Sequence, residues 1–191
     1  MDLPARFEDA WQHTKGEGVV VAVIDSGVEP SGDLQGAVLE GFSVDGKGPG
    51  NEDIDRKAYH GTVMSTLIAG RGTGPGVMGF APEAKILPVQ VPVLNQHEYT
   101  AEALTKLAAL PDPPEVVNMS YGAFGKCSPD EQAAVNAAIA KDMILVAAIG
   151  NVHSTSRGYD HERTPASCKG VIAVGAYGFF GNEASGPTIK M

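Results

Sequence analysis

An open α/β sheet with helices packed on both faces is the fold this sequence predicts, and two patterns predict it. Short apolar, β-branched runs alternate with stretches of helical spacing. The run Val19 to Ile24 is also continuous, β-branched and short, as expected of a parallel strand buried on both faces. At 191 residues and 43% apolar, the chain is long enough for one globular domain with a sizeable core, taken as residues 1–191. Its 24 glycines and 13 prolines are dispersed, which points to tight turns rather than low complexity.

Residues 19–24 (VVVAVI) predict the first strand. Residues 60–70 (HGTVMSTLIAG) read as a helix stopped by Gly70. Residues 85–91 (KILPVQV) predict a second strand, with Pro88 arguing against a central position. Residues 100–110 place Ala101, Leu104, Leu107 and Ala108 at helical spacing before Pro111, Pro113 and Pro114 end the run. Val116 to Met119 follow as a third strand. Ser128, Pro129 and Glu131 form a helix start: a cap, a proline at the first helical position and the partner of a capping box. That helix runs to Lys141, and residues 143–149 and 171–174 are a fourth and a fifth strand.

Composition excludes several functions. A formal charge of −9 and a pI near 4.9 repel phosphate backbones, so nucleic acid is not an expected partner. The longest apolar runs, 19–24 and 143–149, are too short to cross a bilayer. The first residues show no basic segment followed by an apolar one, so no signal peptide is visible, although a mature secreted chain would start the same way.

In open α/β sheets function gathers at the carboxyl ends of strands, which directs attention to Asp25, Ser120 and the Gly150–Asn151 pair. Asp25 ends a run of six apolar residues, where a carboxylate must be hydrogen-bonded; capping the turn at Ser26 and Gly27 would also account for it. His60 opens a helix, whose positive end favours the neutral imidazole that a general base needs; a surface histidine at a loop end is the blander reading. Asn151 follows a buried strand, where its amide could donate to a developing oxyanion, or simply serve a Gly-Asn turn.

The segments Asp25-Ser26-Gly27, His60-Gly61-Thr62, Asn118-Met119-Ser120-Tyr121-Gly122, Ala147 to Asn151 and Val171 to Ala176 occur in one fixed order. With Ala10-Trp11, Lys15-Gly16-Glu17-Gly18 and Gly79-Phe80-Ala81-Pro82 as flanks, this series resembles the subtilisin-like serine peptidases along nearly the whole chain. The resemblance implies a subtilisin-like three-layer open sheet of mostly parallel strands. It implies that Asp25 orients His60, that His60 is general base and then general acid, and that Asn151 serves the oxyanion. Ser120, Tyr121 and Gly122 would pair with an extended peptide substrate as an added strand, and Ala148 and Gly150 would line the pocket for the residue before the scissile bond. No cofactor is required.

The sequence also departs from the family. The nucleophile of the family lies in a Gly-Thr-Ser segment opening a long helix, and these residues contain no Gly-Thr-Ser. Ser185 is a poor substitute, on a segment that resembles the stretch upstream of the serine. The chain is therefore expected to be incomplete at the C-terminus and inactive alone, with part of the sheet's apolar face open. Self-association or a second polypeptide would cover that face. The other reading is a peptide-binding pseudopeptidase with a scaffold or regulatory role.

The resemblance further implies a disulfide between Cys127 and Cys168, the only two cysteines, and with it an oxidising compartment. Two reduced thiols in a cytoplasmic protein are the other reading. The run Gly70-Arg71-Gly72-Thr73-Gly74-Pro75-Gly76 is not a phosphate loop, because it follows a helix and precedes a strand. Related peptidases can bind structural calcium there, but this version lacks the carboxylates and amides calcium favours. Asp53, Asp55, Asp160, His161 and Glu162 read as solvated loop charges.

Overall fold

A computed structural model describes residues 7–73, 75–150 and 162–175. The chain divides into two compact units, Met1–Gln90 and Val91–Met191.

The first unit holds α1 (Phe7–Ala10), β1 (Val20–Asp25), β2 (Phe42–Ser43), α2 (His60–Ala69) and β3 (Lys85–Gln90). Its strands lie in the order β2, β3, β1, and both pairings are parallel. β1 is the centre of the core: Val21, Ala22, Val23, Ile24 and Asp25 are all buried, so the unbroken apolar run reflects burial on both faces. Pro88 sits in β3 opposite Val23 and is tolerated because of its side. Lys85 donates its amide to Val19 and Ile86 donates to Ala37. Alternation therefore turns the Pro88 nitrogen away from β1, toward the segment before β2, and no bond to β1 is lost.

The segments that precede β1 and β3 meet each other. Trp11 Nε1 donates to the Phe80 carbonyl at 2.8 Å, and the Glu83 amide donates to Lys15 at 2.9 Å. A Cβ on Gly16, whose φ is +92°, would stand 3.0 Å from the Ala81 side chain. The approach of these two segments thus needs a glycine in that conformation.

The second unit holds α3 (Thr100–Ala108), β4 (Val116–Met119), β5 (Ala123–Phe124), α4 (Pro129–Ile139), β6 (Ile144–Ala148), β7 (Arg163–Thr164) and β8 (Ile172–Val174). β4, β6 and β8 run parallel in that order, while β5 and β7 form a short antiparallel ribbon. The expected capping box starts α4: the Ser128 hydroxyl accepts from the Glu131 amide, and the Glu131 carboxylate accepts from the Ser128 amide. α3 packs on α4, and α4 on β6. Leu104, Leu107, Val135, Ala138, Val117, Met119, Leu145 and Ala147 form the buried side.

The other side of this sheet is different. Register places Val116 beside Ile144, Val146 beside Ile172, and Ala148 beside Val174, all on one face. There Ile144 is 51%, Ile172 53% and Val174 46% exposed. The apolar face expected to lie open does so among the described residues. Cys127 and Cys168 are bonded to each other, joining the start of α4 to the turn before β8.

Candidate functional site

Asp25 ends β1, and its carboxylate is fully buried. It accepts from the Ser26 amide at 2.7 Å and from the Ser26 hydroxyl at 3.2 Å. His60 Nδ1 reaches both oxygens, at 3.0 and 2.8 Å. A carboxylate accepts only, so Nδ1 carries the proton and the lone pair of the neutral ring resides on Nε2. The two motifs are mutually dependent in space. A Cβ at Gly61 would stand 2.2 Å from the Gly27 carbonyl, and one at Gly27, where φ is +98°, would stand 2.0 Å from the Glu52 carbonyl. Glycine after His60 and glycine two residues after Asp25 let the first turn of α2 reach the end of β1.

The expectation that the helix terminus favours neutral His60 is corrected here. The hydrogen bond His60 donates to Asp25 comes first and the carboxylate charge adds to it, so the His60 pKa lies above the ordinary histidine value of 6.5 despite opposing desolvation. A carboxylate within 3 Å outweighs the partial charge of a helix end.

Asp53 also corrects an expectation: it is fully buried rather than a solvated charge. One oxygen accepts from the Thr62 amide at 2.9 Å and from its hydroxyl at 2.7 Å; the other accepts from the Asp55 amide. Ser26 Oγ accepts from the Gly61 amide at 3.0 Å. The residue before α2, Tyr59, provides no side-chain cap. Asp53 and Ser26 therefore cap the helix from a distance and fix the position of His60. The spacing of Asp53 and Asp55, typical of an Asx turn, was the available signal. Asp55 is half-buried and accepts from the Lys57 and Ala58 amides, which lowers its pKa. Glu162 is exposed near Lys126, while Asp160 and His161 lie outside the described residues.

The glycine-rich run after α2 is held by Asp33. One carboxylate oxygen accepts from the Thr73 amide and hydroxyl, both at 2.8 Å, and the other accepts from the Val77 amide at 2.6 Å. These bonds, Val77 first, lower the Asp33 pKa. The carboxylate that orders this loop comes from outside it, which a reading of the loop alone missed.

In the second unit, Ser120, Tyr121 and Gly122 follow β4 and belong to no described strand. Ser120 Oγ pairs with the Asn118 amide group, and the buried Tyr121 hydroxyl with Thr100 Oγ1 at 3.0 Å. Gly122 adjoins Ala148: a Cβ there would stand 3.2 Å from the Ala148 carbonyl. Gly150 follows β6 with φ +87°. Three predicted residues of the substrate segment and pocket are thus adjacent or on one stretch of chain. Asn151 and Ser185 lie outside the described residues. Of the clusters able to hold a metal, Cys127, Glu131 and Cys168 are drawn together, but both sulfurs are in the disulfide and Glu131 serves the capping box, so they do not fit an ion. Among the described residues no helix is long and apolar enough to cross a membrane.

A buried carboxylate at the end of β1 thus holds the first residue of α2, in an α/β fold of mostly parallel strands. The sequence profile of the Subtilase family matches residues 16–185, so the chain belongs to the subtilisin-like serine protease family. It is 32% identical to an extracellular protease of Xanthomonas campestris pv. campestris, over 92% of this chain and 36% of that protein. It is 30% identical to the major intracellular serine protease of Bacillus subtilis, over 85% of this chain and 52% of that protein. Among solved structures, a protease from Pseudoalteromonas arctica superposes with a TM-score of 0.78 at 29% identity, over 93% of this chain and 62% of that one. The fold is the subtilisin-like α/β architecture. The chain spans less than two thirds of the length of each of these relatives.

Proposed function

We propose that this chain is the Asp- and His-bearing part of a subtilisin-like serine endopeptidase, with the nucleophilic serine supplied by polypeptide outside these residues. Asp25 holds the His60 ring and stabilises its protonated form. His60 takes the proton of the nucleophile through Nε2 and returns it to the leaving amine. Asn151 donates its amide to the tetrahedral oxyanion. Ser120, Tyr121 and Gly122 pair with an extended peptide, and Ala148 and Gly150 line the pocket for the residue before the scissile bond.

The observation that carries this reading is the fully buried Asp25 bonded to His60 Nδ1 at 2.8 Å. Burying a carboxylate is unfavourable, and a groove that merely held peptides would need neither group. This favours the enzyme over a peptide-binding pseudopeptidase. The open face of β6 and β8 supports the participation of more polypeptide. The disulfide supports an oxidising compartment, and both extracellular and intracellular proteases are among the similar proteins.

The pure 191-residue chain is expected to leave peptides uncut, since loss of the serine alone is known to cost about six orders of magnitude in kcat in this family. Hydrolysis by the intact chain that disappears with His60→Ala would overturn the assignment of the nucleophile. Intact mass of the natural product, measured alongside, shows whether a Gly-Thr-Ser segment accompanies these residues.

A further inference from the structure

We propose that Arg163 makes the pocket beside Gly122, Ala148 and Gly150 selective for an acidic side chain, so that the residue it takes before the scissile bond is Glu or Asp. The inference rests on the reading of Ala148 and Gly150 as pocket residues given above.

Arg163 is brought to this place by the ribbon of β5 and β7, where it stands opposite Phe124. Its guanidinium carbon lies 3.6 Å from the centre of the Phe124 ring, so the cation stacks on an aromatic face and its planar fork is held in orientation. A Cβ at Gly150 would stand 3.0 Å from Cζ and Nε of Arg163 and 3.4 Å from Nη1. A Cβ at Gly122 would stand 3.9 Å from the Arg163 Cβ. Glycine at position 150 is therefore what makes room for the guanidinium, and the arginine adjoins the residues assigned to the substrate.

Among the described residues the charge of Arg163 is unspent. Its Nε is buried without a hydrogen-bond partner, and among the described residues no carboxylate pairs with the guanidinium. Two acidic residues are committed elsewhere: Glu131 accepts from Thr164 Oγ1 at 2.7 Å and from the Ser128 amide, while Glu162 lies near Lys126. In a chain of net charge −9, this arginine has no acidic partner among the described residues. A buried N–H donor without an acceptor is unfavourable until an acceptor arrives. A carboxylate is the group whose geometry matches the fork of a guanidinium, through charge-assisted bonds stronger than those of an amide. A Lys or Arg side chain would meet a like charge, and an apolar one would leave the donor unsatisfied.

The test is peptide binding to the 191-residue chain, which needs no turnover. Fluorescent hexapeptides identical except for Glu, Gln, Leu or Lys at one position, scanned along the peptide, are titrated by anisotropy. Glu is expected to bind at least tenfold more tightly than Gln at one position, with Lys weakest there. In Arg163→Gln that preference is expected to vanish while affinity for the Leu peptide holds, which shows that the variant is folded. Arg163→Lys should restore part of the preference, and Arg163→Glu should favour the Lys peptide. Peptides that bind without discrimination, or a Glu preference that survives Arg163→Gln, overturn the proposal and leave the groove standing. No binding of any peptide overturns the groove and the pocket together.

Discussion

The two units contain apolar parallel strands that read alike in sequence and fare differently in space. β1 in the first unit is buried from Val21 to Asp25 on both faces. β6 in the second, Ile-Leu-Val-Ala-Ala, is just as apolar, yet it alternates between buried Leu145 and Ala147 and exposed or half-exposed Ile144, Val146 and Ala148. β8 beside it exposes Ile172 and Val174. Parallel strands are uniformly apolar because both faces are meant to be covered. β1 in the first unit is covered on both faces. In the second, among the described residues, one face of β6 and β8 is left exposed.

The disulfide gives the largest expected effect in this comparison. It closes a loop of 41 residues inside the unit with the open face. Replacing Cys127 and Cys168 by Ser is expected to lower stability by about 4 kcal/mol on loop entropy, read by urea denaturation. A loss under about 1 kcal/mol would mean that the second unit does not depend on its crosslink.

Next is a matched pair of core substitutions. Ile24→Ala in β1 is expected to cost about 2–5 kcal/mol, because the side chain is fully buried. Ile172→Ser in β8 is expected to cost about 0.5 kcal/mol or less and to reduce binding of a hydrophobic dye. Equal costs at the two positions would show that the face of β8 is covered in solution, and the contrast between the units would fall.

The smallest effect is the pH dependence of the Asp25–His60 pair. The folded pKa of His60 is raised by Asp25 above 6.5. Its contribution to stability is therefore present below about pH 6.5 and is lost as pH rises through the folded value. His60 is 40% exposed, so solvent screening keeps the contribution small. An NMR titration should find the His60 midpoint above 6.5 in the natural sequence and lower in Asp25→Asn. An unchanged midpoint in that variant would show that the pair does not couple.

Much of the fold was legible. The runs at 19–24, 116–119 and 143–149 became strands to within a residue or so at either end, and Ser128 with Glu131 gave a complete capping box. Asp25 and His60 were legible because strand ends, helix starts and motif order all converge on them. Asp53 was not, since a buried carboxylate and a solvated one look identical in a polar loop; only the Thr62 and Asp55 donors around it distinguish them. Arg163 was also missed. A two-residue strand has too few positions to show periodicity, and its meaning lies in Phe124 and Gly150, distant in sequence.

By itself the sequence determined the order of the elements, the caps, the family and the pair Asp25 and His60, because these depend on local spacing and short motifs. Only the tertiary structure decided which charges are buried, in which direction Asp25 shifts the His60 proton equilibrium, which apolar face stays open and where the Arg163 cation points. Those properties arise from contacts between residues far apart in the chain, and desolvation and Coulomb energies depend on such distances in space rather than in sequence.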